Sequence, residues 1–159
     1  MNTPLSPASA ISGDDIRKQV DLKAPPGRVW QALTDAGQFG TWFRVRLETP
    51  FIAGQAASGN ITHPGYEHIR FNVLVEEMRA PELFVLRWHP YAMDPAVDYS
   101  AEPMTRIEFR LEPLGSGTRL TVTESGFDRI SEHRRAECIR MNDSGWAAQM
   151  ENIRAFVDA

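Results

Sequence analysis

The chain is poor in the residues on which several kinds of chemistry depend. It has one cysteine, Cys138. That excludes an intramolecular disulfide, a Cys-x-x-Cys redox pair and a cysteine-rich zinc site. A lone thiol fits a reducing compartment, and a cytoplasmic location is the expectation. No stretch approaches the roughly 18 apolar residues of a membrane helix, so membrane insertion is not expected. Neither sign of charge dominates: 17 Lys and Arg stand against 21 Asp and Glu, for a net charge of −4. This argues against a nucleic-acid partner. There is no serine nucleophile elbow, phosphate loop or dinucleotide fingerprint. The glycines of Gly115-Ser116-Gly117 lie between two strand patterns rather than at a strand-to-helix junction. No cofactor is expected.

What is present suits one globular domain. The chain has 159 residues, 42% hydrophobic and 24% charged, enough to bury a core without staples. Residues 1–13 are rich in Pro, Ser and Ala and carry neither a basic n-region nor an apolar h-region. They read as a disordered tail rather than a signal peptide, with a domain over 14–159 and its first strand near Ile16.

Periodicity supplies the elements. Ile16, Val20 and Leu22 alternate with Arg17, Gln19 and Asp21, as in a half-buried strand. Pro25 and Pro26 end it and open a helix carrying Val29, Trp30 and Leu33, with a stop at Gly37 and Trp30 as a core residue. A second short helix carries Phe39, Trp42 and Phe43. From Val45 to Phe127 strand patterns follow one another. Val45, Leu47 and Phe51 face inward in the first; Phe84, Leu86 and Trp88 share a face, as do Ile107, Phe109 and Leu111, and then Leu120, Val122 and Glu124. Residues 90–103 show no period and read as a loop. In the last thirty residues Ile139, Trp146, Met150, Ile153 and Val157 recur at helical spacing, with Ser131 as N-cap. Gly145 inside this helix requires a packing reason, such as close approach to the sheet. The class is α+β: one strand, two short helices, about six antiparallel strands and one long helix. A single helix covers only part of so large a sheet, and a curved sheet leaves a cavity beneath it.

Among chemically interesting residues Glu124 stands first, because alternation turns it to the same face as Leu120 and Val122. A carboxylate in an apolar pocket has a raised pKa and acts as acid or base. The plainer reading, preferred because glutamate is almost never fully buried unless paired, puts it at the cavity mouth, hydrated or beside an arginine. Trp42, Phe43, Trp88 and Trp146 are either ligand-stacking residues or core. His63, Glu67 and His68 lie close in sequence, but on a loop with no helical His pair, so no metal site is expected. His89 is expected on the exposed face of its strand, His133 in solvent, and "EHRRAECIR" on a solvated helix face.

The pieces "APPGRVWQALTD…WF", "MRAPELFVLRW", "GSGTRLTVTESGF" and a terminal helix with "GW", in that order over residues 16–158, resemble the START-like, helix-grip superfamily called SRPBCC. Within it they resemble the group named for the activator of the heat-shock ATPase (AHSA-type). The resemblance implies a seven-stranded antiparallel sheet curved around a long C-terminal helix, with an apolar cavity between them. Candidate cavity residues are Trp42, Phe43, Phe71, Trp88, Phe109, Glu124, Asn142 and Trp146, with Glu124 the one catalytic candidate. Fold alone does not give function. The leading expectation is a module that binds a hydrophobic small molecule, lipid or polyketide-like. The alternatives are a polyketide cyclase or dehydratase-like enzyme and a co-chaperone-like partner of a heat-shock ATPase.

Overall fold

Alternation makes Ile16–Leu22 an edge strand, β1, with Ile16 and Leu22 buried. The computed structural model describes residues 14–159; the expected tail at 1–13 lies outside the described residues. Helix α1 (Pro26–Thr34) starts on Pro25, whose carbonyl receives the N–H groups of Arg28 and Val29. The stop expected at Gly37 comes earlier. Asp35 ends α1 and caps α2 (Ala36–Phe43), its carboxylate accepting from the Gln38 N–H at 3.0 Å. Strands β2 (Val45–Leu47), β3 (Ala56–Ile61), β4 (Arg70–Arg79), β5 (Leu83–Trp88), β6 (Thr105–Leu114) and β7 (Gly117–Ser125) follow. A 3-10 turn at Phe127–Arg129 then leads into the 26-residue α3 (Glu132–Val157). The N-cap residue of α3 is Ser131, but it serves through its carbonyl; its hydroxyl makes no cap bond. Among the described residues no helix is long and apolar enough to cross a membrane.

The strands form one curved antiparallel sheet in the order β1-β7-β6-β5-β4-β3-β2. β1 and β2 thus lie on opposite edges, joined across the concave face by α1 and α2. Register pairs Ile107 with Glu124, Phe109 with Val122 and Leu111 with Leu120. It also pairs Ile16 with Glu124. The inner face of β7 therefore delivers Glu124 into the middle of the apolar layer.

Seven strands at about 4.8 Å spacing make a sheet roughly 30 Å wide, whereas a helix with its side chains is about 10–12 Å across. Helix α3 runs nearest β1, and α2 sits on β2. Phe39, Phe51, Phe71 and Phe84 fill the space below α2, with Phe39 and Phe51 ring centroids 5.1 Å apart. Trp42 joins them, its indole N–H donating to the Ala32 carbonyl at 2.8 Å. Trp30, expected in the core, is half-buried and packs against it, meeting the buried Phe84 edge-on.

Candidate functional site

Glu124 is fully buried, not hydrated at a rim, and its partners are not arginines. Its Oε2 accepts from the Trp88 indole N–H at 2.7 Å and from the Thr105 hydroxyl at 2.5 Å. Its Oε1 accepts from the Trp146 indole N–H at 2.8 Å, and Asn142 Nδ2 donates to both oxygens at 3.1 and 3.3 Å. All four donors are uncharged. Burial pushes the carboxyl above its ordinary value, and the bonds from Thr105, Trp146, Trp88 and Asn142 pull it back without cancelling the rise. The hub ties β5, β6, β7 and α3 together at one point. It also sets the pose of Trp88 and Trp146, whose rings stack at 5.7 Å and 28°.

Beside this hub lies a cavity of about 1000 Å³. Ile61, Phe71 and Trp88 of the sheet and Phe43 at the end of α2 line one side of it. Asn142, Gly145, Ala148, Gln149 and Asn152 of α3 form the facing wall, and the loop after β5 roofs it from His89 to Ser100. Of the eight expected cavity residues, Phe43, Phe71, Trp88 and Asn142 line it. Trp42, Phe109, Glu124 and Trp146 stand behind that lining, in the core. The "WF" pair at the end of α2 is therefore split: Trp42 packs inward and Phe43 looks into the cavity.

The α3 wall is polar. Gln149 Nε2 donates to the Phe43 carbonyl at 3.2 Å, and its Oε1 accepts from Asn152 Nδ2 at 3.0 Å. Gly145 does not answer to close packing against the sheet: a Cβ built there meets nothing within 4 Å. It answers to the cavity. These residues follow Asn142 at steps of three, four and three, so the helical period that finds Trp146 also finds them, on the neighbouring stripe.

Several other polar residues surround the mouth. His89 is half-buried rather than exposed, with a buried Nδ1 that has no hydrogen-bond partner. His63 and His68 line the mouth, and His63 Nδ1 lies 3.1 Å from Arg44 Nη1. Among the described residues no three His, Cys, Asp or Glu side chains are grouped to hold a metal ion.

The roof is latched to α3. Arg134 makes a two-pronged ion pair with Glu102, at 2.9 and 2.7 Å. It also donates to the carbonyls of Pro90 and Tyr91 at 2.8 and 3.3 Å and lies 4.8 Å from the Tyr99 ring centre. Tyr91 holds a left-handed φ of 48°. The first turns of α3 are thus solvated on one face, where Glu132, His133, Glu137 and Arg140 are exposed, while Arg134, Arg135 and Cys138 turn toward the protein. Arg135 caps the Ile130 carbonyl, and Cys138 is fully buried below Pro90, where burial pushes its thiol up.

The family model described as Activator of Hsp90 ATPase homolog 1-like protein matches residues 23–158. No curated protein is a significant match to the sequence. Among solved structures, the chain is similar to protein NE0264 from Nitrosomonas europaea, with a TM-score of 0.73 at 18% identity over 94% of this chain and 97% of that one. It is similar to the Aha1 dimer from Colwellia psychrerythraea, with a TM-score of 0.67 at 16% identity over 91% of this chain and 96% of that one. It is also similar to DynU16, of the dynemicin biosynthetic locus, with a TM-score of 0.70 at 21% identity. There the match covers 93% of this chain and 48% of DynU16, so the chain spans about half that protein's length.

Proposed function

Because the chain belongs to the family of activator of Hsp90 ATPase homolog 1-like proteins, we propose that it uses the space this fold leaves between sheet and long helix to bind a hydrophobic small molecule, lipid or polyketide-like. The observation that carries this reading is the cavity of about 1000 Å³ with Phe43, Ile61, Phe71 and Trp88 on one wall. Ligand sites are concave, mostly apolar and of this size, with a few polar groups to fix orientation. A structural relative from a biosynthetic locus adds support for a small-molecule ligand.

In this reading Glu124 is a positioning residue. Trp88 and Asn142 line the cavity, Glu124 does not, and both its oxygens are taken by side chains. A cyclase or dehydratase would instead need an acid or base within hydrogen-bond reach of the substrate. Native mass spectrometry and tryptophan fluorescence against a panel of fatty acids, sterols and aromatic polyketides test the proposal. The expected result is saturable one-to-one binding, with a fluorescence change that Trp88→Phe diminishes. A panel with no saturable binder overturns it.

A further inference from the structure

Arg44 ends α2 in a left-handed conformation, φ 70° and ψ 59°, a region that favours glycine. Its N–H donates to the Gly40 carbonyl and its carbonyl accepts from the Thr62 N–H, both at 2.9 Å. Contacts on each side therefore fix the backbone from which the side chain leaves. A glycine would relax this turn; the arginine instead brings a guanidinium to the cavity, directly after Phe43. Two arginines line the cavity, and they differ. Arg70 is spent on Glu48, at 2.7 and 3.1 Å, and on the Asn60 side-chain oxygen at 2.7 Å. Arg44 is exposed and, among the described residues, has no carboxylate within ion-pair distance. Its Nη1 meets His63 Nδ1 at 3.1 Å. A guanidinium only donates, so Nδ1 accepts and the imidazole proton lies on Nε2. What this pair offers a ligand is donors alone: the remaining guanidinium N–H groups and the His63 Nε2–H.

The acids that share the cavity are on the roof. Asp94 and Asp98 each hold a loop N–H, of Ala96 at 3.0 Å and of Ser100 at 2.9 Å. They do not pair with Arg44, but their charge disfavours a multiply charged anion in the same space. A single carboxylate fits, because its plane accepts two parallel N–H groups of a guanidinium. We infer that Arg44, with His63 beside it, anchors a carboxylate of the ligand at the cavity mouth, with the apolar body against Phe43, Phe71 and Trp88. The ligand is then an amphiphilic monocarboxylate, and Arg44 is the residue that favours it over the neutral alcohol or amide. The inference rests on the reading of the cavity as a ligand site.

Calorimetry on the full chain compares matched pairs: dodecanoate with dodecanol, and naphthoate with naphthamide. Each pair keeps the apolar body and removes the charge. The acid is expected to bind at least roughly tenfold more tightly than its neutral partner, in whichever body the cavity accepts. In Arg44→Gln that ratio is expected to fall toward one, with the affinity for the neutral partner unchanged. Arg44→Lys, which keeps the charge but not the fork, is expected to retain part of the preference. A neutral partner bound as tightly as the acid overturns the inference, and the parent chain alone reads this. An unchanged ratio in a folded Arg44→Gln overturns it as well. Dodecyl phosphate bound more tightly than dodecanoate overturns the choice of a singly charged group. Binding of the neutral partners alone overturns the inference while leaving the cavity a ligand site. Binding of no probe overturns it and counts against the ligand reading as well.

Discussion

Glu124 has no cation beside it, yet it sits at 0% exposure. Two indole N–H groups, a hydroxyl and an amide replace the water it gives up, and neutral donors offset the cost of burying a charge only in part. Its folded-state pKa therefore lies above that of the unfolded chain. The folded protein holds this proton more tightly, so the associated stability is complete below the unfolded value, about 4.3, and is lost as pH rises through the folded value. A glutamine cannot titrate. Urea unfolding of the parent and Glu124→Gln at a series of pH values upward from about 4 should show the parent losing ground to the variant as pH rises. Parallel curves would show that the carboxyl is not shifted. Little in the local sequence distinguishes this buried glutamate from a rim residue. Alternation gives its face, but its donors come from positions 18 to 36 residues away, which no local pattern encodes.

At the scale of elements, α3 carries the clearest departure from local preference. Gly145 sits mid-helix with open space where a side chain would be. Gly145→Ala should raise stability by about 1 kcal/mol, since helix propensity favours alanine and nothing obstructs the methyl. Thermal unfolding reads this directly, and a loss of stability would mean that the helix is closed down on something there. Gly117 is the contrast. A Cβ at Gly117 would fall 2.1 Å from the Leu22 carbonyl oxygen, so that glycine is required by the β1–β7 contact. Period-two patterning specifies β1, β6 and β7 down to the facing of single residues, because each has one buried and one wetter side. It says less about β5, where Leu83 and Val85 are buried on the far face as well. There the charged network of Glu76, Arg87, Arg106, Glu108 and Arg110 lies over the sheet and its aliphatic stems exclude water. Residues 90–103 are legible as a loop but not as a roof, since the residue that holds them is on α3.

For the molecule as a whole, the Arg134 latch decides how well the cavity is covered. Both partners of the Arg134–Glu102 pair are mostly shielded, with side-chain exposures of 17% and 14%. The pair also carries the two loop carbonyls, so it should count for more than a surface ion pair. Arg134→Ala should speed amide exchange across 90–103 by at least roughly tenfold while leaving β6 and β7 protected. Hydrogen-exchange mass spectrometry resolves the two regions, and unchanged exchange in the loop would show that it is held by other contacts.

The strand order carries a consequence for how the chain assembles in time. β1 pairs only with β7, whose residues lie roughly a hundred positions further along, and contacts of such sequence separation form late and slowly. On a growing chain β1 leaves the ribosome with no sheet neighbour until β7 has been made. The β1 edge waits on the synthesis of β7, and until then α1 and α2 rest on an unfinished sheet.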